Sequence, residues 1–492
     1  MLYELLKSQS ELRPHQAAVI GEDRTLTYRQ LFQEAGNIAS ALSALGLETG
    51  APILIGIPPS PDFYAAFFGA AALGCLILPV LPSGKLYQAY RDAAPVAAMG
   101  SDDFLNGARL RCATLRHCIS WSPSRGIDFP IALLEFFRQT VFRDEMILGV
   151  SSSGSTGEPK LYLRSAELIL SRAKLRAQVQ QTRPDDVFIS TRPFNSGSAI
   201  NSHIVLPILT GGRVIVHDRF ERFKAAAAIS KERVTVLYAV PFIFELLASI
   251  PESRRVDFTS LRLCISGSAS LPRSVSDQFQ RRFGITIRQR YSGSHFYPAF
   301  TYNLDGPADS VGRIDGLFPM AILDGDGNSI NSETIGEIAF YIADLPDYLR
   351  EVAERNPNRK GDFIYTGDLG KTDAVGNVYV VGRKSGFIKV GGNRVEPSEV
   401  ESVLRAHPQV KEAVVHGFNS GESTEAVAAI VIADGELSRE TLLQHCELHL
   451  DPYKCPRRLE IRDHLPRSEH GKLLRQEISK EFATGKLRES AE

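Results

Sequence analysis

The residues best suited to chemistry begin at Ser151-Ser152-Ser153-Gly154-Ser155-Thr156-Gly157-Glu158-Pro159-Lys160, directly after the apolar run MILGV. A strand that empties into a loop of glycine, serine and threonine offers backbone N–H groups, hydroxyls and one cation in a small volume. Those are the groups that the oxygens of a polyphosphate require. The loop is not a Walker A segment: GxxxxGK followed by Ser or Thr fails, because Lys160 follows Pro159 and precedes Leu161. Taken alone, the loop could equally be a flexible serine-rich surface turn.

Further segments of the same texture follow in order. Gly267-Ser268-Ala269 comes after LRLCIS, and Tyr291-Ser292-Gly293-Ser294-His295 after ITIRQR. Tyr365-Thr366-Gly367-Asp368 follows a polar turn, Gly382-Arg383-Lys384 follows NVYVV, and Lys472 stands in LPRSEHGKLLR.

The elements that must position these segments are strands alternating with amphipathic helices. Thr27-Tyr28-Arg29-Gln30-Leu31 opens a helix to about Leu45, with Ala35, Ile38, Ala39 and Leu42 on one face and Gly46 ending it. APILIGI (51–57), GRVIVH (212–217), VTVLYA (234–239) and LRLCISG (261–267) read as buried strands of βα units. After residue 310 the strands shorten and turns such as Asp-Gly-Asp-Gly suggest hairpins of a β subdomain; from about 386 the βα alternation resumes. The fold class is therefore α/β, with layered α/β subdomains and a β subdomain followed by a smaller α+β region.

Composition excludes several classes. Of 492 residues 43% are apolar and 23% charged, far from the profile of disorder. Fifty-six Lys plus Arg against 57 Asp plus Glu leave −1, no footprint for nucleic acid or an anionic membrane. Six cysteines without a CxxC pair fit free thiols in a reducing cytoplasm, and the N-terminus lacks a signal-peptide profile. The uncharged run 63–81 has the nominal length of a membrane span, but Gly69, Gly74 and Pro79 interrupt it. It reads as a buried helix to Leu73 and a short buried strand.

The ordered set of segments resembles the adenylate-forming superfamily: acyl- and aryl-CoA ligases, adenylation domains of peptide synthetases, and luciferases. TYRQL, Gly336-Glu337-Ile338 and Gly392-Asn393-Arg394-Val395-Glu396-Pro397-Ser398-Glu399-Val400-Glu401 extend the match over about residues 20–480. The resemblance implies an N-terminal adenylation domain over 1–384 and a mobile C-terminal lid over 385–492 carrying Lys472. ATP and a carboxylic acid would give an acyl-AMP and pyrophosphate; the lid would then rotate for attack by an acceptor thiol. Ser152, Ser155, Thr156, Gly157 and Lys160 would cradle the β- and γ-phosphates. Gly267, Ser268 and Ala269 would line the adenine and Tyr291 stack on it. Ser294 would contact the α-phosphate, Asp368 would accept from both ribose hydroxyls, Arg383 would sit beside the ribose, and Arg394 would pair with phosphate. Lys472 would bridge the carboxylate and the α-phosphate during adenylation.

Two positions depart from the family pattern. His295 stands where the family carries a Glu that helps hold Mg²⁺, and imidazole is a poor ligand for that hard ion. Either water and phosphate oxygens carry the metal, or His295 contacts the α-phosphate or acyl group itself. Ser385 replaces the usual hinge Asp, keeping backbone freedom with Gly386 but losing an acidic partner. No residues are assigned as metal ligands. His445 and His449, spaced i, i+4, do not form HExxH and read as a surface face. Trp121, the only tryptophan, reads as an anchor rather than a ligand contact.

Phe194, Asn195 and Gly293 would line the acid pocket. Asn195 stands at what looks like the place where amino-acid-activating relatives carry Asp. A neutral amide there suits a hydroxyl or carbonyl rather than an ammonium, pointing to an aryl or functionalised small acid. Asn195 as a satisfied loop residue is the other reading. The acceptor would be coenzyme A or a carrier-protein pantetheine in trans; some relatives use an amine to make an amide. A half-reaction or non-catalytic adenylate-binding protein is the alternative that His295 and Ser385 motivate. Intact Lys160, Asp368 and Lys472 argue against it.

Overall fold

The computed structural model describes residues 1–81, 88–128, 146–151, 161–269, 271–293, 296, 299–316, 318–330, 332–343, 345, 347–384, 388–390, 393–395, 397–419, 425–467, 473–475, 477–478 and 481. The chain divides into two compact units, Met1–Arg288 and Gln289–Glu492.

The first unit contains two largely parallel arrays. One orders Thr25–Thr27, Ala17–Ile20, Arg213–Ile215, Val187–Ile189, Val236–Ala239 and Leu263–Ser266, parallel except for its first pair. The other orders Gly126–Asp128, His117–Ser122, Ala97–Gly100, Pro52–Gly56, Leu76–Pro79, Met146–Ser151 and Leu161–Ser165, parallel inside and antiparallel at both ends. Strands covered on both faces read as near-continuous apolar runs.

The ambiguous run 63–81 resolves as expected. Ser60 caps the helix Pro61–Leu73 through the Phe63 N–H, and Gly74 ends it at φ 77°. Leu76–Pro79 then joins the sheet beside Pro52–Gly56. The helix is buried on every face, the pattern of a core helix. Among the described residues no helix is long and apolar enough to cross a membrane. Its partner, the helix Tyr28–Ala44, starts with a capping box in which Thr27 and Gln30 exchange side-chain and backbone hydrogen bonds. It turns Leu31, Ala35, Ile38, Ala39 and Leu42 inward.

In the second unit an antiparallel sheet orders Gly312–Arg313, Asn377–Arg383, Phe363–Thr372, Gly336–Tyr341 and Met320–Leu323. Phe363–Thr372 alternates half-buried and buried positions along its whole length. Beyond it come the hairpin Ile388–Val390 with Asn393–Val395, and a three-stranded sheet of Val410–Asn419, Glu425–Ala433 and Arg458–Arg462. The helices Pro397–Ala406 and Arg439–His449 enclose a core of Val400, Leu404, Val415, Val427, Val431 and Leu442.

Candidate active site

The serine-rich loop 152–160 lies outside the described residues, but its frame does not. Met146–Ser151 and Leu161–Ser165 pair antiparallel with Ser151 opposite Leu161. A strand therefore follows the loop, whereas a Walker A loop hands over to a helix. The structure thus separates this loop from the P-loop by topology as well as by spacing. Ser294, His295 and Lys472 also lie outside the described residues, as do Ser385 and Gly386 of the expected hinge and Gly392 and Glu396 of the late motif. For Arg383 and Arg394 only the backbone is described.

In the second unit the segment Tyr365-Thr366-Gly367-Asp368, inside the strand Phe363–Thr372, is fixed from several directions. Asp368 is 5% exposed. The Tyr291 hydroxyl donates to its Oδ2 at 2.6 Å. Its own N–H donates to Thr366 Oγ1 at 3.1 Å, and that hydroxyl donates to the Ile338 carbonyl at 2.7 Å. Gly367 takes φ 71°, a conformation glycine adopts without a Cβ penalty, and its N–H donates to Glu337 Oε1 at 3.1 Å. Lys384 Nζ meets the other Glu337 oxygen at 2.6 Å, and the Lys384 N–H donates to the Gly367 carbonyl at 2.8 Å. The strand register sets Asp368 opposite Arg383. The Tyr291 ring lies 5.0 Å from Phe296 and 6.1 Å from Phe340, centroid to centroid, which fixes its plane. A carboxylate has about four lone-pair sites, so Asp368 can hold a vicinal diol while Tyr291 orients it. Glu337 and Lys384 fell within matched motifs, yet their part in holding this strand segment depends on pairing across the sheet that spacing does not reveal.

In the first unit, Gly267 follows the strand Leu263–Ser266, and its N–H donates to the Ala239 carbonyl at 3.1 Å. Ser268 takes φ 71°, uncommon for a residue with a Cβ. Its hydroxyl accepts from Arg192 Nη1 at 3.1 Å, and Arg192 Nη2 donates to Ser196 Oγ at 3.3 Å. Ser268 and Ala269 are exposed. Phe194 is buried edge-on to Phe63 at 5.1 Å and Tyr64 at 5.7 Å. The next side chain, Asn195, has a buried Oδ1 with no hydrogen-bond partner among the described residues. A buried amide oxygen left in that state normally awaits a donor from water or ligand.

The chain then runs through Gly197–Ala199 into a π-helix, Ile200–Val205, a widened turn frequent at functional sites. His203 on that turn is 1% exposed. Burial chiefly, with the charge of Arg192 adding to it, holds its pKa down to about 3, against the pull of the Ala199 and Tyr238 carbonyls. The imidazole is therefore neutral at physiological pH. Neither Arg192 nor His203 carried a recognisable motif; both emerge only once the fold brings Ser268, Phe194 and Tyr238 around them.

The structure thus brings Tyr291 and Asp368 together, with Arg383 opposite in register, and separately gathers Ser268, Arg192, Ser196 and the aromatic wall around Phe194. Gly293 follows the strand Ile287–Ser292 in a half-buried position. All six cysteines are free, and burial pushes the Cys75 and Cys446 thiols up to about 12 and Cys264 higher still, which makes those three poor nucleophiles. The His445 and His449 rings lie 4.6 Å apart, centroid to centroid, tilted by 37°, with His445 bonded to the Val403 carbonyl, and among the described residues no cluster could hold a metal. Trp121 is a buried anchor whose Nε1 donates to Asp62 at 2.9 Å.

Comparison with known proteins places these features in a lineage. Residues 6–341 match the model of the AMP-binding enzymes, and residues 399–472 that of the AMP-binding enzyme C-terminal domain. An indoleacetate–CoA ligase of Aromatoleum aromaticum is 27% identical over 97% of both chains. The crystal structure of the anthranilate CoA ligase AuaEII with anthranoyl-AMP superposes with a TM-score of 0.86 at 22% identity, over 99% of this chain and 98% of that one. The amide bond synthetase McbA from Marinactinospora thermotolerans superposes with 0.81 at 22% identity, over 98% and 100%.

Proposed function

This chain belongs to the family of AMP-binding enzymes, and from that membership we propose that it is an ATP-dependent ligase joining a carboxylic acid to a thiol. In the first step a carboxylate oxygen attacks the α-phosphorus, the bond to pyrophosphate breaks, and an acyl-AMP forms. In the second a thiolate attacks the acyl carbon and AMP leaves with the electron pair of the broken C–O bond. A free carboxylate resists that attack because its oxygen is a poor leaving group; esterification to AMP removes the obstacle.

Charge on the phosphates dominates the first barrier, so the protein's task is to position and to offset charge. Ser152, Ser155, Thr156, Gly157 and Lys160 take the departing pyrophosphate. Ser294 meets the α-phosphate, and Lys472 spans it and the incoming carboxylate. Gly267, Ser268 and Ala269 let the adenine lie against backbone, Tyr291 stacks on it, Asp368 takes the ribose diol with Arg383 beside it, and Arg394 pairs with phosphate. The observation that carries this reading is Asp368: a buried carboxylate that accepts from Tyr291, on a strand segment whose backbone N–H groups are held by Thr366 and Glu337, has a binding geometry prepared in advance.

Magnesium would supply charge neutralisation on the phosphates. The donor chemistry at His295 does not suit it, since Mg²⁺ prefers oxygen and retains waters. The metal would therefore ride on nucleotide phosphates and water. If instead His295→Glu tightens the Mg²⁺ requirement and raises the adenylation rate, His295 has altered the site directly.

For the acid, we favour an aryl or functionalised small molecule with a hydrogen-bond donor near its carboxylate. The buried Asn195 Oδ1, without a hydrogen-bond partner among the described residues and next to the Phe63–Tyr64–Phe194 wall, supports this choice. Coenzyme A, or a carrier pantetheine acting in trans, is the acceptor. Amide formation is the second reading, favoured by the likeness of fold to an amide bond synthetase. Incubating the enzyme with ATP, a panel of acids and either coenzyme A or an amine tests all three points. Thioester with AMP is expected, fastest for hydroxy- or amino-substituted aryl acids; amide product only, or no product from any acid, contradicts the proposal.

A further inference from the structure

The strand Phe363–Thr372 does not run straight past its neighbour at Asp368. Against the strand Gly336–Tyr341 the register jumps: Glu337 faces Leu369 and Ala339 faces Tyr365, so Ile338 alone stands against Thr366, Gly367 and Asp368. A bulge of this kind interrupts the ladder, bends the strand and re-aims a side chain, and bulges gather next to active sites. Its middle residue, Gly367, takes φ 71°, and among the described residues no atom beyond its chain neighbours lies within 4 Å of where a Cβ would stand. Side-chain packing therefore does not set this conformation. Glycine also gives up more freedom on ordering than any other residue, so its peptide groups must be held.

One ion pair holds both of them. The Gly367 N–H donates to Glu337 Oε1 at 3.1 Å, and the Gly367 carbonyl accepts the Lys384 N–H at 2.8 Å. Lys384 Nζ then meets Glu337 Oε2 at 2.6 Å, which closes the circuit of contacts. The Glu337 side chain is 9% exposed and that of Lys384 59%, so a buried carboxylate is balanced by a cation at the surface. On the other side of Gly367, the Thr366 hydroxyl donates to the Ile338 carbonyl and accepts from the Asp368 N–H.

We propose that Glu337, with Lys384 as its counter-charge, is a positioning residue for Asp368: it sets the bulge that aims that carboxylate at a ribose diol. This inference rests on the reading of Asp368 as the ribose-binding group. Tyr291 orients the carboxylate through Oδ2, whereas the Glu337–Lys384 pair fixes the backbone that carries it. A carboxylate that has drifted can still meet one hydroxyl, but not two at good distance and angle. The loss then falls on nucleotides that carry the diol and spares those that lack it. Lys384 matters because a buried carboxylate stripped of its partner is driven toward water, which loosens its hold on Gly367.

The test measures dissociation constants of ATP and of 2′,3′-dideoxy-ATP for the full chain by calorimetry. The parent should bind ATP the more tightly by about tenfold or more, the scale of hydrogen bonds to a charged group. Lys384→Met, at the exposed partner, is the primary variant. Glu337→Gln keeps an acceptor for Gly367 but drops the ion pair; it is the second, with its thermal midpoint recorded alongside. Each should shrink the preference by about threefold to tenfold through weaker ATP binding, with dideoxy-ATP held within about twofold. In the Asp368→Ala background neither should weaken ATP binding further, because a residue that acts only through Asp368 has nothing left to aim. Equal weakening of both nucleotides, an unchanged preference in Lys384→Met, or a further loss in that background overturns the positioning role alone. A parent that binds the two nucleotides equally overturns the ribose reading of Asp368 itself.

Discussion

At the scale of single residues Asp368, held by Tyr291, is the group on which nucleotide binding depends in the proposed function. Asp368→Asn keeps the shape but loses the charge that favours two hydroxyl donors. It should raise the KM for ATP by roughly 1.5–3 kcal/mol, the worth of hydrogen bonds to a charged group. Tyr291→Phe removes one orienting bond at 2.6 Å and should raise that KM by about 1 kcal/mol with little change in kcat. A fall in kcat alone for either variant contradicts ribose binding. His203 gives a pH signature. Its folded pKa of about 3 lies below the unfolded value of 6.5, so the unfolded chain binds more protons between those limits. Its contribution is complete above pH 6.5 and is lost as pH falls toward 3, at no more than about 1.4 kcal/mol per pH unit. The urea midpoint should therefore drop less steeply from pH 7 to 4.5 in His203→Leu than in the parent; identical slopes refute the neutral buried imidazole. Asp368 and Tyr291 were legible in the sequence because each sits in a compact motif. Arg192 and His203 were not: the contacts that distinguish them are made 76 residues away for Arg192–Ser268 and through a π-turn that no periodicity announces.

At the scale of elements, helix boundaries followed from local chemistry. The capping box at Thr27 and the Ser60 and Gly74 pair around 61–73 are short-range signals, and the elements begin and end there. Strand pairing was less accessible. Nothing in the run MILGV or in LYLRS indicates that they face each other in register across the serine-rich loop. Tertiary anchoring was less accessible still. Asp62, in the first turn of its helix and 7% exposed, accepts from Trp121 Nε1 and pairs with Arg24, itself bonded to Glu34. Asp62→Ala strands the buried indole N–H and should lower unfolding free energy by about 1–3 kcal/mol. Unchanged urea stability would show that this node contributes nothing to holding strand, helix and hairpin together.

At the scale of the whole molecule, composition and motif order placed the chain among layered α/β enzymes, because a doubly covered sheet leaves a strong apolar imprint. The boundary between the compact units falls in the chain at residues 288 and 289, whereas the lid proposed for 385–492 starts well beyond it. Rotation about Ser385 predicts that Ser385→Pro, which stiffens the backbone, slows the thiol step more than adenylation; equal effects on both contradict a hinge there. In the proposed reaction an acid oxygen becomes bonded to the α-phosphorus of ATP. The most direct test supplies an acid with both carboxylate oxygens isotopically heavy, together with ATP and thiol, and follows the label by mass spectrometry. One heavy oxygen in the phosphate of AMP is the predicted result. Heavy oxygen in inorganic phosphate with ADP as product, or label confined to the acid and its thioester, would contradict the account.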